Sequence, residues 1–218
     1  MSRHDAATTG FPESPVSIYD RFTSLYDLMF RFNGYGLSME RYLRENLPSL
    51  PAGARVLDAG CGTGLLTLAL LRVLRRPAEI TAVDLSARSL QTARRAVFKL
   101  KHDPRHKISF VQANVRALPF PDDSFDLVVT SGVLEYLPLR EGLGEMARVI
   151  APGGHLVFLP VRPSPATKLL EIMFRFKAHP PREVAENTER FFQVLDDYRF
   201  HPLEPIGWTK SVVLAQKQ

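Results

Sequence analysis

Three glycines and a later aspartate are the residues whose types and spacing most directly suggest chemistry. Gly60, Gly62 and Gly64 occupy alternate positions in the segment VLDAGCGTG, at the end of an apolar run. Glycines allow a tight backbone turn and a close approach to a ligand that a Cβ atom would block. Asp84 follows Gly64 by 20 residues, where a carboxylate can accept hydrogen bonds from both hydroxyls of a ribose. The combination predicts a nucleoside-containing cofactor; a tight strand–helix turn without a ligand is the simpler alternative.

The residues around this loop distinguish between two cofactors. A dinucleotide-binding loop has its third glycine at the position that Leu65 occupies here. Asp58, at the edge of the loop, would repel a pyrophosphate but suits a cationic group. S-adenosylmethionine carries an ammonium and a sulfonium and has no phosphate. The charges therefore favour S-adenosylmethionine over a nicotinamide cofactor, and they disfavour an oxidoreductase.

The elements that must position these residues alternate between strand and helix from Arg55 onward. Ser86 stands at the expected N-cap of one of the helices. The alternation predicts right-handed βαβ crossovers and a parallel sheet that is covered on both faces. The predicted strands are ARVLDAG, EITAVDL, KISFVQAN, FDLVVTSG, GHLVFLPV, YRFHPLEPIGW and KSVVLAQK. Outside the alternation, helices are predicted from Ile18 to Phe30, Met39 to Asn46, Lys168 to Lys177 and Glu183 to Asp197.

Five motifs together resemble the class I S-adenosylmethionine-dependent methyltransferases, in particular the branch of the ubiquinone/menaquinone-biosynthesis C-methyltransferases. The motifs are VLDAGCGTG, AVDLS, ANVRALPFPDDSFDLV, VLEYL and IAPGGHL, and the resemblance spans residues 18–160. It implies a doubly wound, Rossmann-like α/β fold with a seven-stranded, mostly parallel sheet and helices on both faces. The last strand, within 210–216, would be antiparallel. A single domain over residues 18–218 would follow a flexible tail at 1–17.

The resemblance also assigns the cofactor contacts, with S-adenosyl-L-homocysteine as the product. The methionine end of the cofactor would meet the loop residues Asp58, Ala59, Gly60, Cys61, Gly62 and Gly64. Asp84 would bind the ribose, and Leu85 would pack on the adenine. Val115 would offer its backbone N–H to the adenine, and the amide oxygen of Asn114 would accept from the adenine amino group in place of the family's usual aspartate.

The residues after the fourth predicted strand are the candidates for the methyl-transfer centre. Ser131 and Gly132 would border it. Glu135 and Tyr136 are the candidate catalytic residues, because a general base is needed when the nucleophile is protonated at the working pH. Alternatively, Glu135 caps a helix and Tyr136 forms a wall of the pocket. The sequence contains no H-E-x-x-H motif and no Cys/His cluster, so no metal site is predicted.

Two segments that combine apolar and basic residues are expected to form the lid over the acceptor. They cover residues 18–50 and 161–197, and Tyr19 and Tyr26 are predicted to line the acceptor pocket. Apolar lids favour a small lipophilic acceptor: a quinone precursor, a phospholipid amine or another aromatic metabolite. The basic residues favour peripheral contact with a membrane. Simple core packing is the alternative explanation of the aromatic stripe.

The charge and composition of the chain bear on its partners and its cellular compartment. The 28 Lys and Arg against 23 Asp and Glu give a net charge of +5, which suits an anionic partner or simply a dispersed soluble protein. The single cysteine excludes an intrachain disulfide, and no signal-like or membrane-spanning apolar run is present, so a cytoplasmic protein is expected. Methylation of RNA or protein and a non-catalytic cofactor-binding scaffold stay open as alternatives. A missing N-P-P-Y motif makes nucleic acid the less favoured partner.

Overall fold

Seven strands form one mixed sheet with helices packed around it. The structure is a computed structural model, and it describes residues 34–201 and 203–218, apart from the side chain of Ala166. The helices are α1 (Tyr35–Asn46), α2 (Leu65–Val73), α3 (Ala87–Lys99), α4 (Leu139–Val149), α5 (Pro165–Phe174) and α6 (Pro181–Glu189). The strands are β1 (Ala54–Ala59), β2 (Ala78–Asp84), β3 (Lys107–Gln112), β4 (Phe125–Ser131), β5 (Ile150–Leu159), β6 (Gln193–Tyr198) and β7 (Val212–Gln216). Short 3-10 helices lie at Leu134–Tyr136 and Pro205–Trp208.

The order of the strands determines where a ligand can bind. They lie side by side as β3-β2-β1-β4-β5-β7-β6. Strands β1 to β5 are parallel to one another, whereas β7 is antiparallel to both β5 and β6. The chain therefore reverses its progress across the sheet between β1 and β4, and open α/β sheets bind ligands outside the carboxyl ends of their strands at such a point. The predicted doubly wound sheet with an antiparallel last strand is confirmed.

Alternate residues of the central strands build two separate cores. Val56 and Val129 belong to the core that α1 and α2 cover. Leu57 and Val128 belong to the other core, which contains the apolar face of α4. Successive side chains of a strand point to opposite faces, so a strand that is buried on both faces must be apolar throughout. This explains the continuous apolar runs in the sequence.

Helix α1 begins four residues before the predicted Met39. Gly34 adopts a left-handed conformation with φ 72° at the N-cap, and the helix continues through Gly36. The apolar stripe of Tyr35, Met39 and Leu43 packs in the core beside α2. That burial outweighs the low helix propensity of a single glycine near the helix start. The predicted helix from Ile18 to Phe30 and the tail at 1–17 lie outside the described residues.

The prediction of a helix from Glu183 to Asp197 is wrong in its second half. Helix α6 ends at Glu189, and Gln193–Tyr198 forms the edge strand β6. The predicted strand YRFHPLEPIGW contributes only Tyr198 to the sheet, and its Pro205–Trp208 portion is a 3-10 helix. Strand β6 depends on pairing with β7, between Gln193 and Gln216 at one end and Tyr198 and Val212 at the other. Local periodicity carries no information about such a long-range pairing.

Helix α3 begins as predicted, since the Ser86 side chain accepts a hydrogen bond of 3.1 Å from the backbone N–H of Ser89.

None of the helices in the described ranges combines the length and apolar character needed to cross a membrane.

Candidate functional site

A cavity of about 300 Å³ opens at the carboxyl ends of β1, β2 and β4, at the point where the strand order reverses. We call it the main cavity. The predicted site residues that line it are Asp58, Gly60, Cys61, Gly62, Asp84, Leu85, Asn114, Val115, Ser131, Gly132 and Tyr136. The structure thus brings together residues that are distributed over almost 80 positions of the sequence. Parallel strands make this possible because their carboxyl ends all meet at one edge of the sheet.

Asp58 has a buried carboxyl group in the wall of the main cavity. The residue is only 1% exposed, and the Thr67 hydroxyl donates a hydrogen bond to its Oδ2 atom. Within the described part of the chain its Oδ1 atom has no hydrogen-bond partner. Burial, reinforced by the nearby Asp84, raises the pKa of Asp58 to about 7. A buried carboxylate oxygen without a partner is costly, so the site is suited to a ligand that brings a cation or a donor.

Asp84 organises the glycine loop. Its Oδ2 atom accepts from the backbone N–H of Gly62 at 2.8 Å, and its Oδ1 atom accepts from the backbone N–H of Ser86, also at 2.8 Å. One carboxylate therefore connects the loop after β1 to the start of α3. An ionised carboxylate has about four lone-pair sites, so it can accept further hydrogen bonds from a ligand in the cavity.

Two of the glycines are required by protein packing. At Gly60, where φ is 76°, an added Cβ atom would lie 2.7 Å from the Cβ of Val133. At Gly64, where φ is 90°, it would lie 3.0 Å from the Cβ of Ala93 in α3. Gly64 caps α2 and does not line the cavity. Ala59 is likewise absent from the cavity lining, and its carbonyl accepts from the Thr130 hydroxyl at 2.9 Å. Ala59 and Gly64, two of the predicted contact residues, therefore do not form part of the cavity wall.

The far end of the main cavity is lined by apolar and amide groups. Leu85 is 47% exposed although it lies in the cavity wall, so a bound ring would cover apolar surface there. The Asn114 Oδ1 atom accepts from the backbone N–H of Arg116 at 3.0 Å, which fixes the orientation of the amide. An amide oxygen has two lone pairs, so one can still accept a donor from a ligand.

A cluster of three polar side chains lies at the opposite end, beyond β4. The Tyr35 hydroxyl donates to the Ser131 Oγ atom at 2.8 Å, and the Lys210 ammonium donates to the same oxygen at 3.3 Å. We call these three residues the Ser131 cluster. Lys210 is 1% exposed, and burial lowers its pKa while the negative field of Glu135 opposes that shift. Tyr35 lines the main cavity together with Ser131.

A second, much smaller cavity adjoins the Ser131 cluster. This side cavity has a volume of about 10 Å³ and shares Gly132 and Tyr136 with the wall of the main cavity. Its other lining residues are Val161, Leu170, Phe176, Thr209 and Lys210. The volume is close to the space that one water molecule needs.

Glu135 does not line either cavity, in contrast to Tyr136. Its side chain is buried, and its Oε1 atom accepts from the backbone N–H of Val161 at 2.6 Å. Its backbone carbonyl accepts from Lys177 at 3.3 Å, and the Leu134 carbonyl bonds to the His179 ring at 3.2 Å. The 3-10 helix at Leu134–Tyr136 therefore holds the segment 161–179 against the cavities. This geometry gives Glu135 an anchoring position, away from the place where a general base would meet a ligand in the main cavity.

Sequence reasoning missed the two side chains that surround Ser131. Tyr35 was identifiable, because it precedes the predicted helix from Met39 by one helical turn on the same face. Lys210 gave no signal, because a lysine beside a strand is usually solvated. The predicted acceptor residues Tyr19 and Tyr26 lie outside the described residues.

The sequence of this chain is similar to those of known methyltransferases. A family model described as a methyltransferase domain matches residues 57–158. The ubiquinone/menaquinone biosynthesis C-methyltransferase UbiE of Hahella chejuensis is 32% identical, over 93% of this chain and 86% of that protein. The demethylmenaquinone methyltransferase of Lactiplantibacillus plantarum is also 32% identical, over 80% of this chain and 79% of that protein.

Solved structures show the same fold. Geranyl diphosphate C-methyltransferase from Streptomyces coelicolor A3(2), in a complex that includes S-adenosyl-L-homocysteine, matches with a TM-score of 0.67 and 16% identity. That match covers 83% of this chain and 76% of the other. A chain in the complex between the Haloferax volcanii Trm112 methyltransferase activator and the putative methyltransferase matches with a TM-score of 0.73 and 18% identity. It covers 94% of this chain and 97% of the other.

Proposed function

Because this chain belongs to the family of the ubiquinone/menaquinone biosynthesis C-methyltransferases, we propose that it methylates a small, apolar hydroquinone that is a quinone precursor. It is an S-adenosylmethionine-dependent methyltransferase. The cofactor supplies, when bound, a methyl group that is activated by its attachment to a positively charged sulfur. The protein has to bind the two reactants, align them and exclude water, and such positioning contributes about 7–11 kcal/mol in favourable cases.

The residues of the main cavity fit this cofactor. The unpartnered Oδ1 atom of Asp58 would accept from the ammonium of the methionine moiety. Asp84 would accept the ribose hydroxyls while it keeps its bonds to the loop. Leu85, Asn114 and Val115 would hold the adenine. Cys61, Gly60 and Gly62 would form the loop surface around the methionine moiety, with Ala59 and Gly64 supporting the loop from behind.

The side cavity wall is the observation that carries the acceptor class. Tyr136 and Phe176 make an aromatic contact with ring centroids 5.9 Å apart, and Val161 and Leu170 complete an apolar wall. The wall adjoins the Ser131 end of the main cavity, where Ser131 and Gly132 would border the methyl-transfer centre. An aromatic acceptor in the main cavity would contact Tyr136, which lines both cavities, while the side cavity has room only for its polar substituent.

Helix α5 supports a contact with the membrane in which long-chain quinone precursors dissolve. Leu169 is 63% exposed and Ile172 is 79% exposed, one helical turn apart. Lys168 and Arg175 are exposed beside them. Apolar side chains flanked by cations are typical of helices that dock on anionic lipid surfaces.

A methyl-transfer assay tests both parts of the proposal. We expect the protein to transfer a labelled methyl group from S-adenosyl-[methyl-¹³C]methionine to a short-chain demethylmenaquinol, with the label on a ring carbon by mass spectrometry and NMR. Vesicles of phosphatidylglycerol that contain a long-chain demethylmenaquinol should support faster turnover than vesicles of phosphatidylcholine, because α5 carries exposed cations.

Parallel reactions with phosphatidylethanolamine, RNA and a protein lysate are the controls for acceptor class. Label in one of these and none in demethylmenaquinol would overturn the proposed acceptor. Equal rates on the two kinds of vesicle would overturn the membrane contact without affecting the acceptor.

The affinity for S-adenosylhomocysteine is expected to rise with pH through the titration of Asp58. Burial holds the pKa of this carboxyl at about 7, whereas an ammonium beside Oδ1 requires the ionised form. Below this pKa, affinity should increase by up to about tenfold per pH unit, since one proton is released on binding. Without ligand, the stability of the protein has the opposite pH dependence to the affinity. The pKa of Asp58 is higher in the folded than in the unfolded protein, so the free energy of unfolding falls as pH rises from about 4 to about 7.

Asp58→Asn is the matched variant for this prediction, because it preserves the size of the side chain and removes the titration. Calorimetry at several pH values should show a flat and weak affinity for this variant, and urea unfolding should show that the ligand-free pH dependence is reduced. Parallel pH dependences of affinity in the two proteins would contradict the role of Asp58.

A further inference from the structure

Lys210 is buried, whereas most lysines in soluble proteins are exposed. It lies between the 3-10 helix at Pro205–Trp208 and β7, and its backbone pairs with Val161 in an isolated antiparallel bridge. Lys210 has only 1% of its surface exposed. Its side chain ends in the wall of the side cavity, 3.3 Å from the hydroxyl of Ser131, which faces the main cavity. The amine therefore lies at the boundary between the two cavities.

The hydrogen-bonding capacity of this amine is largely unused. An ammonium has three donors, and Lys210 makes a single side-chain hydrogen bond within the described residues. The same part of the chain places no carboxylate within ion-pair distance of it, although the field of buried Glu135 reaches it. The second oxygen of Glu135 also lacks a partner among the described residues. A buried amine with so few bonds is suited to a ligand hydroxyl, which can both donate to it and accept from it.

The titratable groups that face Lys210 leave the amine as the proton acceptor of the site. Tyr35 on α1 and Tyr136 in the 3-10 helix are phenols whose pKa is raised by burial, so both stay neutral. Glu135 is the carboxylate whose field acts on Lys210, but it lines neither cavity, and its Oε1 atom accepts from the backbone N–H of Val161. Burial lowers the pKa of Lys210 itself, which favours the neutral form of the amine, and the neutral form can act as a base.

We propose that Lys210 accepts the proton of an acceptor hydroxyl that enters the side cavity and that it thereby selects phenolic acceptors. The O–H bond of the acceptor breaks, its electron pair stays on oxygen, and the proton forms a new N–H bond on Lys210. The product is an ammonium–phenolate pair at the side cavity, and the phenolate makes the ring electron-rich at the carbon to be methylated. The volume of the side cavity suits one oxygen atom. This inference rests on the proposed function.

A spectroscopic titration tests the inference without turnover. The probe is 4-nitrophenol, which ionises near neutrality and absorbs in the visible only as the phenolate. With protein saturated by S-adenosylhomocysteine, below the pH at which the free probe ionises, we expect binding to increase phenolate absorbance several-fold. Lys210→Met and Lys210→Gln should both abolish this increase. The glutamine variant keeps an N–H donor for Ser131, so it separates the proton-accepting role from a structural hydrogen bond.

The outcomes separate this inference from the proposed function. An unchanged affinity for S-adenosylhomocysteine in both variants shows that they are folded. Absence of a phenolate signal in the wild-type protein, or its persistence in Lys210→Gln, overturns the role of Lys210. Failure of the wild-type protein to bind S-adenosylhomocysteine contradicts the cofactor site instead. In the methyl-transfer assay, both variants should lose turnover most strongly at low pH.

Discussion

Replacing Asp84 by alanine is expected to weaken the binding of S-adenosylhomocysteine by about a hundredfold or more. The carboxylate would hydrogen bond to the ribose and also holds Gly62 and Ser86 through their backbone N–H groups. Hydrogen bonds to a charged group contribute about 1.5–3 kcal/mol each, so losing the ligand bonds alone accounts for an effect of this size. Isothermal titration calorimetry measures it directly.

Glu79→Ala is the matched control for Asp84→Ala. Glu79 lies on the same strand, β2, but near its amino end, where it forms an exposed ion pair with Lys107. Its replacement should leave the dissociation constant unchanged. An Asp84→Ala protein that binds as tightly as the wild type would show that the cofactor lies elsewhere.

Gly60→Ala is expected to lower the free energy of unfolding by about 2–5 kcal/mol. The left-handed backbone at φ 76° costs an alanine about 1–2 kcal/mol, and overpacking typically adds about 1–3 kcal/mol. The overpacking arises because the added Cβ would lie 2.7–2.9 Å from three atoms of the Val133 side chain. Urea unfolding followed by circular dichroism gives the value, and the affinity for S-adenosylhomocysteine should fall as well because the loop has to shift.

Gly53→Ala isolates the first of these two contributions, the cost of the left-handed backbone. Gly53 has nearly the same backbone angle, φ 79°, but an added Cβ there would have no atom within 4 Å. We therefore expect it to show the backbone cost alone, with no change in ligand affinity. If the two variants were equally destabilised, contact with Val133 would not be the reason for glycine at position 60.

The central sheet and the floor of the main cavity follow from local sequence patterns. The run around Leu57 is apolar because both faces of β1 are buried, and the glycine loop stands directly after it. Ser86 marks the start of α3, because its side-chain oxygen accepts a hydrogen bond from the backbone N–H of Ser89. Such features depend on residues that are neighbours in sequence, so the sequence is sufficient to predict them.

The acceptor side depends on contacts between distant parts of the chain. Strand β6 exists because Val194 and Tyr198 pair with residues of β7, and the helical spacing of the same segment led to the wrong prediction. Glu135 is acidic and follows β4, which suggests catalysis, yet its side chain bonds to Val161, 26 positions away. Lys210 shares the side cavity with Val161, Leu170 and Phe176, which lie at least 34 positions before it in the sequence. Sequence motifs identify the cofactor half of such a protein more readily than the acceptor half.

The place of β7 has a consequence for biosynthesis. This strand is the last in the chain, yet it hydrogen bonds on both sides, to β5 and to β6. The half of the molecule up to β5 can condense while translation continues, since domains assemble from the amino end as they emerge. The Ser131 cluster is complete only after Lys210, just before β7, has been synthesised. The nascent protein is therefore expected to form the cofactor cavity before the cluster beside it.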